Sequence, residues 1–180
     1  FFPETLKLWR DIESRYGLVI RAVRPAMDIA KQDAKYGARL YERDSDSCCY
    51  LRKVKPLDDA LKGKRAWLTG LRRTQSPSRA AIPVLEWDSD RSLIKVNPFA
   101  KWDTSELESY IDAQQVLTNP LHTQGYPSIG CQPCTSQVKR GEDERAGRWR
   151  GTRKTECGLH VSPQNESNSN RLKILPGGKS

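Results

Sequence analysis

The sequence predicts an α/β protein with a mostly parallel sheet flanked by helices, and three observations predict it. Up to Gly37 the chain reads helix, strand, helix, the order that builds parallel sheets. A strand-like run, RAWLTG over 65–70, leads directly into a basic Gly/Ser loop, as happens where ligands meet the carboxyl ends of strands in open α/β sheets. The 180 residues suffice for one domain with a hydrophobic core and are too few to expect two.

Pro3 suits a first helical turn, and Leu6, Trp9, Ile12 and Tyr16 recur at helical spacing until Gly17, which predicts a helix over 4–16. Leu18 to Val23 is apolar and β-branched and predicts a buried strand ended by Pro25. A short helix follows over 26–36, stopped by Gly37. In SCCYLRKVKPLDDAL (47–61), helical spacing sets Cys49 and Lys53 on one face as an i, i+4 pair. After Gly63, 65–70 reads as a buried strand, and GLRRTQSPSR (70–79) reads as a loop suited to an oxyanion. Ile82 to Trp87 and Leu93 to Val96 flank the turn-rich Asp88-Ser89-Asp90-Arg91 and predict a strand pair at the sheet edge, ended by Asn97-Pro98. Asp103 and Glu106 form a capping-box pattern ahead of a helix whose apolar face is Leu107, Tyr110 and Ile111, with Asn119-Pro120 as its stop. Trp87 and Trp102 are expected in the core. The segment 161–180, rich in Ser and Asn, reads as a mobile tail.

Charge and composition narrow the function. Thirty-one basic against 22 acidic residues give +9, which favours an anionic partner. The basic residues are spread along the chain without a dense run, so a small phosphorylated or sulfated substrate fits as well as nucleic acid does. No apolar run approaches the roughly eighteen residues of a membrane span and no signal pattern opens the chain, so it reads as cytoplasmic. Because the sequence begins at Phe1, a preceding segment is expected.

The five cysteines fall as an adjacent pair, Cys48-Cys49, a C-x-x-C, Cys131 to Cys134, and the single Cys157. In a reducing compartment this grouping points to metal ligation or redox chemistry over structural disulfides. Four thiolates suit zinc or an iron-sulfur cluster. Adjacent helical side chains diverge by about 100°, awkward for one zinc but compatible with different irons of a cluster, which favours [4Fe-4S]. Cys157, left without a partner, is the candidate nucleophile. His160 follows it by three residues and would face it on a helical turn, and an imidazolium there favours thiolate. Arg145 and Arg148, three apart in GEDERAGRW, can grip a multiply charged anion.

FFPETL (1–6), CCYLRKVKPL (48–57), GLRRTQSPSR (70–79), KVNP (95–98), HTQGYPSIGCQPCT (122–135), GEDERAGRW (141–149) and KTECGLH (154–160) together are highly specific. On them the chain resembles the assimilatory adenosine-5′-phosphosulfate reductases, the cluster-containing branch of the adenylyl-sulfate and phosphoadenylyl-sulfate reductase family. The resemblance implies an adenine-nucleotide alpha-hydrolase-like fold, with the reductase domain over 1–160. It implies that Cys48, Cys49, Cys131 and Cys134 ligate a [4Fe-4S] cluster that does not itself exchange electrons with substrate. Cys157 would attack the sulfur of adenosine 5′-phosphosulfate, expel AMP and carry an S-sulfonate, from which reduced thioredoxin or glutaredoxin releases sulfite for cysteine biosynthesis. Lys53, Arg79, Arg145, Arg148 and His160 match the family's phosphosulfate-binding positions. Two departures stand out. The family's N-terminal phosphate-binding loop has no counterpart, so the N-terminal part of the domain is expected to be missing, and no thioredoxin-like domain follows His160. The 3′-phosphorylated nucleotide is the alternative substrate. From another class, a metal-stabilised nucleic-acid-binding module is the competing reading, and homo-oligomerisation is left open.

Overall fold

The computed structural model describes residues 1–160, so the expected tail at 161–180 lies outside the described residues. Two compact units interleave along the chain. The first takes Phe1–Val23, Gly63–Trp87 and Leu93–Thr155; the second takes Arg24–Lys62, Asp88–Ser92 and, among the described residues, 156–160.

The first unit opens with helix α1, Pro3–Tyr16, ended by Gly17 in the left-handed region at φ 60° with its N–H on the Glu13 carbonyl. Asn119 Nδ2 donates to Thr5 Oγ1 at 2.9 Å, and Phe2 packs edge-on against Tyr126 with ring centroids 5.5 Å apart, a contact worth about 1 kcal/mol beyond its burial. These two contacts bind α1 to the loops that carry the C-x-x-C. The expected strand over 18–23 does not form. The Leu18 amide stays on the Glu13 carbonyl and the Ile20 amide goes to the Glu13 carboxylate at 2.8 Å, so the side chain of α1 takes a donor that a ladder would need. Val19 is accordingly 92% exposed.

Strands β1 (Ala66–Leu68), β2 (Leu85–Asp88) and β3 (Leu93–Val96) form a sheet in the order β1-β3-β2. β1 and β3 are parallel, with Trp67 opposite Lys95, while the short turn after β2 folds it back beside β3 at the edge. The burial of the sheet departs from expectation at two points. Leu68, Leu85, Trp87 and Ile94 are exposed, so Trp87 is not in the core and β1 is not a buried strand, whereas Lys95 is buried. Period-two alternation explains this: Leu93 and Lys95 share the inner face, where Lys95 Nζ meets Glu86 at 2.7 Å and lies 5.7 Å from the Trp67 ring centroid. Breaking such a buried pair costs about 3–5 kcal/mol, because the remaining charge is left uncompensated.

Helix α6, Thr104–Gln114, begins with the expected capping box: Asp103 accepts from the Glu106 amide and Glu106 accepts from the Asp103 amide, both at 2.8 Å. It ends at Gln115, left-handed at φ 48°, short of Asn119-Pro120. Trp102 is half-buried between Phe99 and Tyr110.

The second unit is helical. α2 (Ile29–Tyr36) is capped by Asp28, and α3 (Leu40–Arg43) and α4 (Ser45–Cys49) follow. A π-helical turn, Tyr50–Val54, then continues into α5, Lys55–Leu61. The expected α-helical i, i+4 relation of Cys49 and Lys53 is therefore replaced by a wider turn, of the kind often found at functional sites. Arg52 anchors this stretch, donating to the buried Gln32 side chain at 3.2 Å. Arg91, in the turn after β2, pairs with Asp88 at 2.9 Å and with Asp58 of α5 at 2.8 Å. No described helix is long and apolar enough to cross a membrane.

Candidate active site

The C-x-x-C sits on a short helical turn, Gln132–Cys134, whose first residue after Cys131 sets up the Cys134 amide to Cys131 carbonyl bond of 2.9 Å. Thr135 Oγ1 closes the same turn, donating to the Cys131 carbonyl at 2.9 Å and accepting from the Gly130 amide at 3.2 Å. The segment bearing the two arginines lies alongside. Thr135 and Arg148 form an antiparallel bridge, the Ser136 amide donates to the Gly147 carbonyl at 2.8 Å, and the Trp149 amide donates to the Cys134 carbonyl at 3.0 Å. The cysteine turn and the arginines are thus one backbone construction.

Arg145 and Arg148 do point the same way. Each donates through Nη1 to Ser128 Oγ, at 3.4 and 3.3 Å. Bonds of that length are weak beside those an anion's oxygens would accept from a guanidinium. Arg148 lies flat on Gly130, where a Cβ would come within 2.1 Å of Nη2, so glycine is what lets the guanidinium reach this position. Its Nε is buried with no hydrogen-bond partner among the described residues, as is the indole N–H of its neighbour Trp149. Trp149 is 5% exposed and sits at φ 47°, a conformation uncommon outside glycine that characterises functional sites.

Glu142 locks the loop between these segments. Arg150 reaches both its carboxylate oxygens, at 3.0 and 2.8 Å, and also holds Ser136 Oγ and the Gln137 carbonyl. The Arg150 hydrogen bonds, with the Lys139 amide, hold the Glu142 carboxyl down at about 2 from an ordinary 4.5. A carboxyl depressed in the fold stabilises it above the ordinary value and ceases to do so as pH falls toward the folded one. The loop is therefore expected to stay closed down to about pH 4.5 and to open to pepsin between there and about pH 2, whereas Glu142→Gln should be cut equally at both ends of that window; equal acid dependence in the two proteins would contradict the lock.

The loop after β1 is pinned at both ends, by the Thr69 amide on the Val96 carbonyl at 2.9 Å and the Arg73 amide on the Ala100 carbonyl at 3.0 Å. Gln75 Oε1 accepts from the Arg72 amide at 3.1 Å and from the Arg79 guanidinium, so Arg79, at the end of the turn Pro77–Arg79, is aimed by its own loop.

In the second unit Cys48 and Cys49 are buried at the end of α4, and Lys53 is half-buried on the π-helical turn. The expected helical turn from Cys157 to His160 is absent: these residues are extended and bent, because Gly158 is left-handed at φ 82°. A Cβ at Gly158 would lie 3.4 Å from Val54 Cγ2, so the residue after Cys157 is seated against Val54, the last residue of the π-helical turn. None of the five cysteines is in a disulfide, and Cys157 is half-buried. Among the described residues no three His, Cys, Asp or Glu side chains gather as a metal-holding group. The donor chemistry nonetheless fits a sulfur-ligated group, since none of the cysteines is in a disulfide and the Trp149 indole N–H, on the segment bonded to Cys134, is buried with no hydrogen-bond partner among the described residues. Trp149, Ser128, Gly130 and Gly147 escaped the sequence reading; the Gly and Trp within GEDERAGRW were the available signal.

A model of the phosphoadenosine phosphosulfate reductase domain matches residues 1–137. The chain belongs to that reductase family. Among its relatives in the family, the adenosine 5′-phosphosulfate reductase of Streptomyces coelicolor is 51% identical over 159 residues, covering 88% of this chain and 67% of the relative. The phosphoadenosine 5′-phosphosulfate reductase of Gloeobacter violaceus is 49% identical over 163 residues, covering 89% and 68%. The crystal structure of phosphoadenylyl-sulfate reductase from Candida auris, a phosphate complex, superposes with a TM-score of 0.65 at 33% identity, covering 76% of this chain and 66% of that one. The fold of this reductase-family chain is therefore α/β, of the adenine-nucleotide alpha-hydrolase-like kind. The chain spans about two thirds of the length of these relatives.

Proposed function

We propose that the chain belongs to an enzyme that reduces adenosine 5′-phosphosulfate to sulfite and AMP, at the expense of reduced thioredoxin, in assimilatory sulfate reduction. The observation that carries this is the convergence of Arg145 and Arg148 on Ser128, on a segment that leads within a few residues to an undisulfided Cys157. The relatives named for this activity, 47–51% identical, support it. Arg145, Arg148, Arg79, Lys53 and His160 are the proposed phosphosulfate contacts, and fixed guanidinium charge stabilises the oxygen on which negative charge grows as the S–O bond breaks.

The thiolate of Cys157 attacks the sulfonate sulfur, an S–S bond forms, the S–O bond to the phosphate breaks, and AMP departs with the bonding pair. A reduced dithiol protein of the thioredoxin or glutaredoxin class then attacks Cys157 Sγ through one thiolate and expels sulfite. Its second thiol resolves the mixed disulfide, so two electrons pass from dithiol to sulfur. Cys48, Cys49, Cys131 and Cys134 are the thiolates proposed to hold a [4Fe-4S] cluster, whose chemistry when bound is structural and electrostatic. Cytoplasmic placement accords with the need for reduced thiols.

Because the Gloeobacter relative is named for the 3′-phosphorylated nucleotide, that substrate is the second reading. The two are separated by following sulfite release from each nucleotide at equal concentration: at least a tenfold higher kcat/KM for the unphosphorylated one is expected, about 1.4 kcal/mol of discrimination, and the reverse preference would exchange the readings.

A further inference from the structure

The segment between the arginines and the nucleophile is tied down more closely than a linker needs to be. The Trp149 carbonyl accepts from the Thr152 amide at 3.0 Å and from Thr152 Oγ1 at 2.8 Å. Thr152 Oγ1 in turn accepts from the Lys154 amide at 3.1 Å. The Lys154 ammonium lies 5.5 Å from the centroid of the buried Trp149 ring, within cation–π range. Finally, Arg145 Nη2 donates to the Thr155 carbonyl at 2.8 Å. Together these ties hold the chain from Trp149 to Thr155, which lies two residues before Cys157, and on the far side Gly158 has the left-handed conformation that lets the chain turn.

Resting on the reading of Cys157 as the nucleophile, we propose that Lys154 is a positioning residue: by clamping on the Trp149 indole it fixes the near end of the short segment that leads to the Cys157 thiolate. The physical reason is the steep dependence of group transfer on the placement of the attacking atom. A thiolate carried on an unanchored segment samples many positions, whereas one two residues from a fixed carbonyl is confined to within about 7 Å of it. Trp149 is the seat because its backbone is held to Cys134 and its ring is buried. Arg145 makes the same segment answer to the anion site, since one guanidinium holds both Ser128 and Thr155.

The test uses the whole chain with its iron, as wild type, Lys154→Met and Lys154→Arg. Three quantities are read: the single-turnover rate of S-sulfonation of Cys157 at saturating adenosine 5′-phosphosulfate, by mass spectrometry; the affinity for that nucleotide; and labelling of Cys157 by a bulky maleimide without nucleotide. For Lys154→Met, the sulfonation rate should fall about tenfold, affinity should stay within about twofold, and labelling should rise, with Lys154→Arg restoring all three because its cation also stacks on indole. An unchanged rate and unchanged labelling in Lys154→Met would overturn the proposal, as would a loss of affinity matching the loss of rate, which would make Lys154 a ligand contact. If even the wild-type chain gains no sulfonate, the reading of the activity fails by itself; the anchor then stands if labelling still rises in Lys154→Met and falls if it does not.

Discussion

Replacing Cys157 by serine is expected to reduce sulfite formation by about 10⁴-fold or more, the scale on which removal of a covalent nucleophile is felt, while leaving the iron content at its wild-type value. A serine hydroxyl in the same place has almost no anionic fraction at neutral pH, so it cannot replace the thiolate in attacking the sulfonate. Iron should be unaffected because Cys157 lies on an extended segment beside Gly158 and Val54, away in sequence from both cysteine pairs. Paired measurements decide it: iron and sulfide analysis on anaerobically purified protein, and intact mass after nucleotide is added. Loss of iron from Cys157→Ser would assign this sulfur to ligation, and a wild-type Cys157 peptide that never gains SO3 would remove it from the chemistry.

The second large effect is expected at a glycine that touches no substrate. A Cβ built on Gly147 would stand 2.1 Å from the Ser136 carbonyl oxygen and 3.1 Å from Val138 Cγ2. The opposing atom is backbone, part of the segment bonded to Gly147 itself through the 2.8 Å Ser136 amide contact, so relief requires the two segments to part. Gly147→Ala should therefore cost about 2–3 kcal/mol and, by opening the bridge between Thr135 and Arg148, lower both iron retention and nucleotide affinity. Gly70→Ala is the control, since nothing lies within 4 Å of a Cβ there and its φ is ordinary. Denaturant midpoints for the two variants give the comparison; coincident curves would mean that the segments are not held as close as the structure has them.

The two predictions draw on different layers of information. Cys157 could be singled out by subtraction in the sequence, because pairs such as Cys48-Cys49 and Cys131-Cys134 are recognisable from spacing alone. Gly147 could not. Its role arises from an approach of two segments eleven residues apart, Ser136 and Gly147, and no periodicity encodes a backbone contact. Local rules did well where the signal is local: the Asp103–Glu106 capping box forms as the pattern implies, and Gly17 ends α1. They failed where a competing partner was decisive. Leu18 to Val23 has strand composition, but the Glu13 carboxylate takes the Ile20 amide. The turn from Cys157 to His160 has helical spacing, but Gly158 adopts positive φ. The π-helical turn at Tyr50–Val54 has the same apolar residues as an α-helical one would, and one turn is too short for the two periods to separate.

What this chain's sequence determined by itself is chemical: an inventory of thiols, guanidiniums and an imidazole in motifs specific enough to place it in a reductase family, together with the caps and stops of its helices. Tertiary structure alone decided which of those groups meet, that Arg145 and Arg148 converge on Ser128, that Trp149 is buried in a strained conformation against the cysteine turn, and that the sheet's charged Lys95 faces inward while Leu68 and Trp87 face out. The physical reason is range. Reactivity and helix capping depend on a residue and its near neighbours along the chain, whereas burial, convergence and close backbone approach depend on atoms brought together by folding.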